Sequence, residues 1–287
     1  MATTKIAPAA ASPGLPFLRR FARGKVLLGM IHLPPLPGSP LWAGGSVERI
    51  IDGARRDAEA ILEGGLDGWI LENYGDVPFF PDRVPPYVLT VMTRIALALP
   101  RGTGASKGVL TGVNVLRNDA LGALAVAAAA LLDLIRVNVH TGAMVTDQGI
   151  IQGRAAETLR ERARLGAPVA IAADVLVKHA APLGGGGPEA AAWAAKDLAE
   201  RGLADALIVS GPATGAPADL DRLRTVRTAV PGKPLLVGSG ADAASIGAIL
   251  EIADGAIIGT SLKKGGDVHA PVDRRRVRAI LRAAGRN

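Results

Sequence analysis

Short runs of apolar residues recur along the chain at the intervals of an alternating α/β protein. The runs are continuous instead of alternating with polar residues, which is typical of parallel strands covered on both faces. Between them lie segments with the apolar spacing and the charged faces of amphipathic helices. The strand-like runs cover residues 26–31, 68–71, 110–115, 134–139, 169–173, 206–209, 235–237 and 256–258.

Each of these eight runs is followed by one helical segment. This order predicts a closed (β/α)₈ barrel, the TIM barrel, in preference to an open, doubly wound sheet. The composition does not shift after residue 24, so we expect a single barrel domain over residues 25–287. The helical segments cover residues 47–62, 87–99, 119–132, 154–165, 189–201, 219–229, 243–251 and 273–284.

The first 24 residues differ from the rest of the chain. They are rich in Ala and Pro, which predicts a disordered or loosely attached tail. They lack the continuous apolar core of a secretory signal peptide. Because they contain arginines and no acidic residue, an organelle transit peptide stays open on composition alone.

Composition and charge exclude several classes of protein. The chain has no cysteine and 3% aromatic residues, which excludes disulfides, thiolate chemistry and a base-stacking platform for nucleic acid. The net charge of +7 belongs to the ends, because residues 1–24 hold four basic residues and residues 274–287 hold six, with no acidic residue in either. These ends are either solvated or in contact with an anionic lipid surface.

The longest apolar run covers residues 120–132, between Asp119 and Asp133. It is shorter than the roughly 20 residues that a membrane-spanning helix needs, so it predicts a buried helix. We therefore expect a cytoplasmic protein, with peripheral membrane association left open. A homo-oligomer is the common state of such chains.

Two glycine turns near the C-terminus predict a phosphate site. Gly238, Ser239 and Gly240 follow the seventh apolar run, and Gly259, Thr260 and Ser261 follow the eighth. Small residues let backbone N–H groups close around an anion, and the loops after strands seven and eight of such barrels often bind phosphate. The alternative is that both are simply tight turns between strand and helix.

Five residues near strand ends are candidates for catalysis. His32 is an acid or base near neutrality, or a histidine bonded to a backbone carbonyl. Glu72 is a proton-transfer group, or the partner of Arg136 or Lys178 in an ion pair. Lys178 forms a Schiff base, binds phosphate or pairs with Asp174, which is itself a candidate. His179, which directly follows Lys178 in the chain, is the fifth candidate and acts as a base or supports the other candidates.

Further polar residues at strand ends are candidates for binding the substrate. One of them, Asp147, lies on a long loop, 140–153, that would reach over the mouth of the barrel as a lid. A divalent metal held by Glu72, Asp174 and Asp147 has no supporting ligand spacing, so we predict no metal and no cofactor. The substrate-binding candidates are Asn73, Asn114, Arg136, Asn138, Asp147 and Ser210.

Eight stretches of the chain resemble one family, the BtpA/SgcQ family, and together they span about 250 residues. They are GMIHLPPLPGSP (29–40), LENYGDVPF (71–79), GVNVLRNDALGALA (112–125), IRVNVHTGAMVTDQGIIQGRA (135–155), ADVLVKHAAPL (173–183), LIVSGPATGAP (207–217), LLVGSGA (235–241) and IIGTSLKKGG (257–266).

This resemblance implies a TIM barrel of the phosphate-binding type. It also implies two different roles, because the BtpA branch is implicated in photosystem I biogenesis at thylakoids and the SgcQ branch lies among proteins of sugar metabolism. No catalytic residue carries over from the family. The extended N-terminus is the one departure from the family pattern.

Two functions are therefore open. The first is an enzyme with a small phosphorylated ligand, of sugar-phosphate isomerase, epimerase or aldolase-like type. The second is a non-enzymatic factor for the biogenesis or stability of photosystem I or another membrane complex, which uses its basic ends as contacts. The sequence favours the first, with no nucleic acid as partner.

Overall fold

The computed structural model describes residues 15–101, 108–187, 189–211 and 218–286. Within these residues eight parallel strands form a closed barrel in the order β1-β11-β10-β9-β7-β4-β3-β2, which confirms the predicted (β/α)₈ fold. The barrel strands are β1 (Val26–His32), β2 (Gly68–Glu72), β3 (Leu110–Asn114), β4 (Leu134–Val137), β7 (Ala170–Val175), β9 (Ala206–Val209), β10 (Leu235–Val237) and β11 (Gly255–Ile258).

Helices surround the barrel, and each predicted helical segment overlaps one of them. The fifth predicted segment, 189–201, is an α-helix that continues as a π-helical turn over Asp197–Arg201. The helices are α1 (Pro16–Phe21), α2 (Val47–Gly64), α3 (Pro86–Ala98), α4 (Ala120–Ala129), α5 (Ala155–Leu165), α6 (Ala190–Lys196), α7 (Leu220–Ala229), α8 (Ile246–Ile252) and α9 (Arg274–Ala283).

Alternation along the strands separates two apolar cores. Side chains such as those of Leu28, Ile70 and Leu236 point inward and fill the barrel. Their neighbours, such as Leu27 and Leu71, point outward and pack under the helices. Because a strand repeats every two residues, the same register continues to the strand ends and sets which polar residues face the barrel interior there.

The N-terminal end of the barrel is closed by α1. Phe17 is fully buried in the cluster that fills the barrel. Arg20 of this helix forms an ion pair with Asp67, which also binds Arg286 near the C-terminus. The expectation of a loose tail is therefore wrong for residues 15–24, because the apolar face of a short helix fits the open end of the barrel; residues 1–14 lie outside the described residues.

The long segment after β4 is not a plain loop. It forms a hairpin of β5 (Ala143–Thr146) and β6 (Gly149–Gln152), and β8 (Ala180–Pro182) pairs with β5 to give a three-stranded antiparallel sheet. Met144 and Ile151 pack with Val177 in a small core of their own. This sheet lies beside the C-terminal mouth of the barrel, because it joins the segments that follow β4 and β7.

The run 120–132 forms the buried helix α4 at its centre, as predicted. In the part of the chain described here, no helix combines the length and the hydropathy needed to cross a bilayer.

Candidate functional site at the C-terminal mouth of the barrel

Polar side chains replace apolar ones at the last inward position of several strands. His32 at the end of β1 lies in register with Glu72 at the end of β2, which lies in register with Asn114 on β3. Arg136 on β4 and Asp174 on β7 continue the ring. The closed barrel therefore brings together groups that are far apart in the sequence.

The two glycine turns line the same cavity as the acid, base and amine candidates. The cavity has a volume of about 430 Å³, within the about 300–1,000 Å³ typical of small-molecule sites. It is lined by all six predicted phosphate-binding residues, Gly238, Ser239, Gly240, Gly259, Thr260 and Ser261, and by His32, Glu72, Arg136 and Lys178.

Glycine is required at the first position of each turn because the space beside it is occupied. A Cβ on Gly238 would lie 2.4 Å from Ile208 Cγ2 and 3.0 Å from Arg136 Nη2. A Cβ on Gly259 would lie 2.9 Å from His32 Cε1. The glycines thus allow the turns to close directly on the polar ring.

A hydrogen bond joins the two turns, and the second turn continues into a short 3₁₀ helix. The Ser261 hydroxyl donates to the carbonyl of Ala241 at 2.6 Å. In the 3₁₀ turn Thr260–Leu262, the N–H groups of Leu262 and Lys263 donate to preceding carbonyls. The N–H groups of Thr260 and Ser261 are the first of this turn and have no intrahelical acceptor, so they are free to bind an anion.

One carboxylate, Asp242, also lines the cavity. Its Oδ1 accepts hydrogen bonds from the N–H groups of Ala244 and Ser245 and from the Ser245 hydroxyl. These bonds lower the pKa of Asp242, the Ser245 hydroxyl first among them. Asp242 therefore holds the chain before α8 in place. Because its negative charge lies at the start of α8, an anion is expected to bind at the 3₁₀ turn Thr260–Leu262 and not at α8.

Arg136 and Asp174 form a buried ion pair beneath the cavity. Arg136 Nε and Nη2 donate to the two oxygens of Asp174 at 2.9 and 2.8 Å, and the two side chains are 3% and 0% exposed. Asn138 Nδ2 and the Ser210 hydroxyl donate to the same carboxylate at 2.9 and 3.1 Å. Burial lowers the pKa of Arg136, but Asp174 more than offsets it and the net shift is upward.

This network changes the interpretation of Asp174. Both of its oxygens already accept hydrogen bonds, and its side chain does not line the cavity. Its charge balances Arg136, so Asp174 suits a positioning role instead of the predicted catalytic one. Asn138 and Ser210 likewise donate hydrogen bonds to Asp174. Both residues therefore lie next to the cavity and do not line it.

Glu72 is held with one oxygen directed towards its neighbours in the cavity. Its Oε2 accepts a hydrogen bond from Asn114 Nδ2 at 2.7 Å. Its Oε1 lies 3.8 Å from His32 Nε2, beyond hydrogen-bond distance. Among the described residues neither Arg136 nor Lys178 forms an ion pair with Glu72, so the ion-pair alternative is not observed. Glu72 remains available as a proton-transfer group.

His32 is a neutral imidazole. Burial first, and then the positive charges of Lys263, Lys178 and Arg136, lower its pKa to about 3. Its Nδ1 is buried and has no hydrogen-bond partner among the described residues, so the alternative of a bond to a backbone carbonyl is not observed. The expectation that His32 titrates near neutrality is wrong; a neutral ring instead offers one hydrogen-bond donor and one acceptor to a ligand.

Lys178 projects into the cavity from the segment after β7, and it is half-buried. Burial and then the charge of Arg136 lower its pKa. Arg117 lies close by, since its Nη2 donates to the carbonyl of Lys178 at 2.7 Å. The site thus holds an amine that is pushed towards its neutral form.

Asp174, Asn114, Asn138 and Ser210 lie next to the cavity without lining it, and three further predicted residues lie away from it. Asn73 is buried and its amide binds both the N–H and the carbonyl of Leu116, so it fixes a neighbouring loop. Asp147 is exposed at the tip of the hairpin, where it hydrogen-bonds Gln148. His179 is exposed and lines a separate cavity on the other side of Lys178.

Sequence reasoning assigned no role to several residues around the site. Arg117 and Lys263 add positive charge near it, although Lys263 is buried and forms an ion pair with Asp57 at 2.6 Å. The ring of Tyr74 lies 4.8 Å from that of His32. Lys263 directly follows the second glycine turn, which is a signal that could have identified it; Tyr74 carries no comparable signal.

No group of three or more His, Asp or Glu side chains in the described part of the chain is arranged to hold a metal ion.

Solved structures of known proteins share this fold. N-(5'-phosphoribosyl)anthranilate isomerase from Pyrococcus furiosus aligns with a TM-score of 0.54 at 13% identity, over 91% of this chain and 98% of that protein. Thiamine phosphate pyrophosphorylase from Pyrococcus furiosus aligns with a TM-score of 0.53 at 15% identity, over 93% of this chain and 98% of that protein. At these identities the likeness shows a common (β/α)₈ fold.

Sequence comparison identifies much closer relatives. The photosystem I biogenesis protein BtpA of Synechocystis sp. is 46% identical over 257 residues, which are 90% of this chain and 87% of the relative. The model of the BtpA family matches residues 23–286, which include α9 and every barrel strand. The resemblance found in the eight stretches is therefore confirmed, and the chain belongs to the BtpA family.

Proposed function

We propose that this protein is an enzyme that acts on a small phosphorylated metabolite at the C-terminal mouth of its barrel. One observation carries the proposal: the two glycine turns, Glu72 and Lys178 line a single cavity. The candidate anion-binding turns and the candidate proton-transfer groups therefore face the same space.

The phosphate would bind at the two glycine turns. The N–H groups of Thr260 and Ser261 lack intrahelical acceptors, and the adjoining turn is built from Gly238, Ser239 and Gly240. Together these groups suit a phosphate monoester better than a neutral ligand.

Glu72 would exchange a proton with the substrate. Asn114 fixes this carboxylate, and neutral His32 lies beside it as a hydrogen-bonding group. Such an arrangement suits removal of a proton next to a carbonyl, the step shared by isomerases, epimerases and aldolase-like lyases. The two structural neighbours are named for reactions of phosphorylated compounds, which agrees with this proposal.

Calorimetric titration with inorganic phosphate and ribose 5-phosphate tests the phosphate site. The variant Thr260→Glu places a negative charge at the turn and should abolish binding. Thr93→Glu, at a similarly half-buried threonine on α3, should bind as the wild type does. Equal binding by wild type and Thr260→Glu, or no binding to a folded wild type, would remove the proposal.

The 46% identity to a photosystem I biogenesis protein supports a second candidate, a non-enzymatic assembly factor that associates peripherally with membranes. Flotation of the full chain with phosphatidylglycerol vesicles tests this, compared with a chain that lacks residues 1–14 and keeps α1. Binding that depends on residues 1–14, in which Lys5 is the one basic residue, supports a role of this segment in membrane association. Equal absence of binding rules out that role. The homo-oligomer stays a prediction, which light scattering of the eluting protein measures.

A further inference from the structure

We propose that Lys178 forms a covalent imine with the carbonyl carbon of a phosphorylated aldehyde or ketone. This inference rests on the proposed function and narrows its substrate class to carbonyl compounds. It assigns the reaction to the imine-forming isomerases and lyases, in which the enzyme supplies the amine.

The position of the amine suits a ligand that carries both a carbonyl group and a phosphate. Lys178 lines the cavity together with Glu72 and both glycine turns, so a ligand whose phosphate lies at the turns has its other end near the amine. Carbonyl and phosphate on one small molecule match these two features. No other lysine lines this cavity among the described residues.

Lys178 Nζ forms no hydrogen bond or ion pair among the described residues. Two other shielded lysines of the chain do have partners: Lys263 pairs with Asp57, and Lys233 donates to the carbonyl of Ala204. A structural lysine at this depth would be expected to bind an acceptor in the same way.

Positive charge and burial outweigh the negative charge around the amine. Burial first and then Arg136, with a smaller effect from Arg117, lower the pKa of Lys178. Glu72 and Asp174 raise this pKa but form no ion pair with Lys178 among the described residues, and the net shift is downward. Positive neighbours and burial keep a lysine neutral and nucleophilic in this way.

Imine formation consumes the neutral amine, the carbonyl group and one proton from solvent. The lone pair of Lys178 Nζ attacks the carbonyl carbon and a C–N bond forms; the nitrogen then gives up a proton and the carbonyl oxygen takes one up, which gives a carbinolamine. A proton from solvent lets the C–O bond break, so that the hydroxyl leaves as water and a protonated imine remains. Glu72 accepts the proton from the neighbouring carbon, whose electrons move into the imine. Return of a proton and hydrolysis by water release the product and the free amine.

Reductive labelling with pyridoxal 5'-phosphate and sodium borohydride tests the inference, because this probe carries both an aldehyde and a phosphate. The full-length protein is labelled with limiting probe, and peptide mass spectrometry gives the rate at each lysine. Lys178 should be labelled at least tenfold faster than exposed Lys196. The pH at which the labelling rate reaches its plateau should also be lower for Lys178 than for Lys196. Lys233, which also has a lowered pKa but lies far from the cavity, should not share this advantage.

Inorganic phosphate separates failure of this inference from failure of the proposed function. Protection of Lys178 by phosphate, lost in Thr260→Glu, supports both. A labelling rate at Lys178 equal to that at Lys196, together with phosphate binding by calorimetry, overturns the imine and keeps the phosphate site. Fast labelling of Lys178 that phosphate does not slow would overturn the claim that Lys178 and the bound phosphate share one cavity. Lys178→Arg should keep phosphate binding and lose the fast-labelled peptide.

Discussion

Replacement of Asp174 by Asn should destabilise the protein strongly. The change removes the negative charge that faces Arg136, whose side chain is 3% exposed. Breaking a buried ion pair by removing one partner costs about 3–5 kcal/mol, because the other charge stays buried without compensation. The amide also replaces one of the two carboxylate acceptors with a donor. We therefore expect the free energy of unfolding to fall by about 3–5 kcal/mol.

Urea unfolding followed by circular dichroism measures this loss. Asp221→Asn is the matched control, because Asp221 is 95% exposed and pairs with Arg224 on the surface of α7. Such a pair contributes about 0–1 kcal/mol. A second test joins Asp174→Leu with Arg136→Met, which should recover much of the lost stability, since no charge is left buried. A loss below about 1 kcal/mol for Asp174→Asn would refute the reasoning.

Three further predictions concern the glycine turn and the closed end of the barrel. Gly259→Ala brings a methyl group against His32, so stability should fall by about 1–3 kcal/mol and phosphate affinity should fall with it, as measured by urea unfolding and calorimetry. Phe17→Ala removes the ring that fills the N-terminal end of the barrel and should lower the free energy of unfolding by about 3–5 kcal/mol. Phe80→Ala, at a ring that is 49% exposed, should lower it much less. Burial raises the pKa of Asp67, but hydrogen bonds and charge from Arg286 more than offset this, and the net shift is downward. Its stabilising contribution is therefore present above the unfolded pKa of about 3.9 and is lost as pH falls through the lower folded value. Asp67→Asn should remove that part of the acid dependence; an unchanged pH profile would contradict it.

The regular recurrence of apolar runs and helical segments was enough to predict the barrel, and alternation along each strand was enough to predict which side chains face its interior. A strand repeats every two residues, so once 26–31 and 68–71 are assigned as strands, the side of the sheet that His32 and Glu72 face follows. The two glycine turns were equally visible, because the loops that follow strands seven and eight converge in any closed barrel. These features depend on local patterns and on topology alone.

The detailed role of each polar residue could not be predicted in this way. Asn73 follows directly after Glu72, so a strand end gives both the same signal, yet alternation turns Asn73 away from the cavity and towards Leu116. The sequence around Asp174 indicates an acid at a strand end and gives no sign of its partner. In the closed barrel Arg136, which is 38 residues away, donates hydrogen bonds to both of its oxygens. Partners distant in sequence decide these roles.

Two elements were missed for different reasons. The hairpin of β5 and β6 has a signal, since two short β-prone runs flank the pair Asp147 and Gln148, but its strands of four residues are too short to stand out from a loop. The helix α1 covers six residues in an Ala- and Pro-rich segment. Its stability comes from Phe17 in the barrel and not from helix propensity, so composition alone predicts disorder.

The most direct test of the account is a crystal structure of the protein grown with inorganic phosphate. We predict one phosphate in the cavity, within hydrogen-bond distance of the N–H groups of Thr260 and Ser261, with Glu72 and Lys178 facing the same space. A cavity without phosphate, at a concentration that saturates binding in solution, would contradict the account.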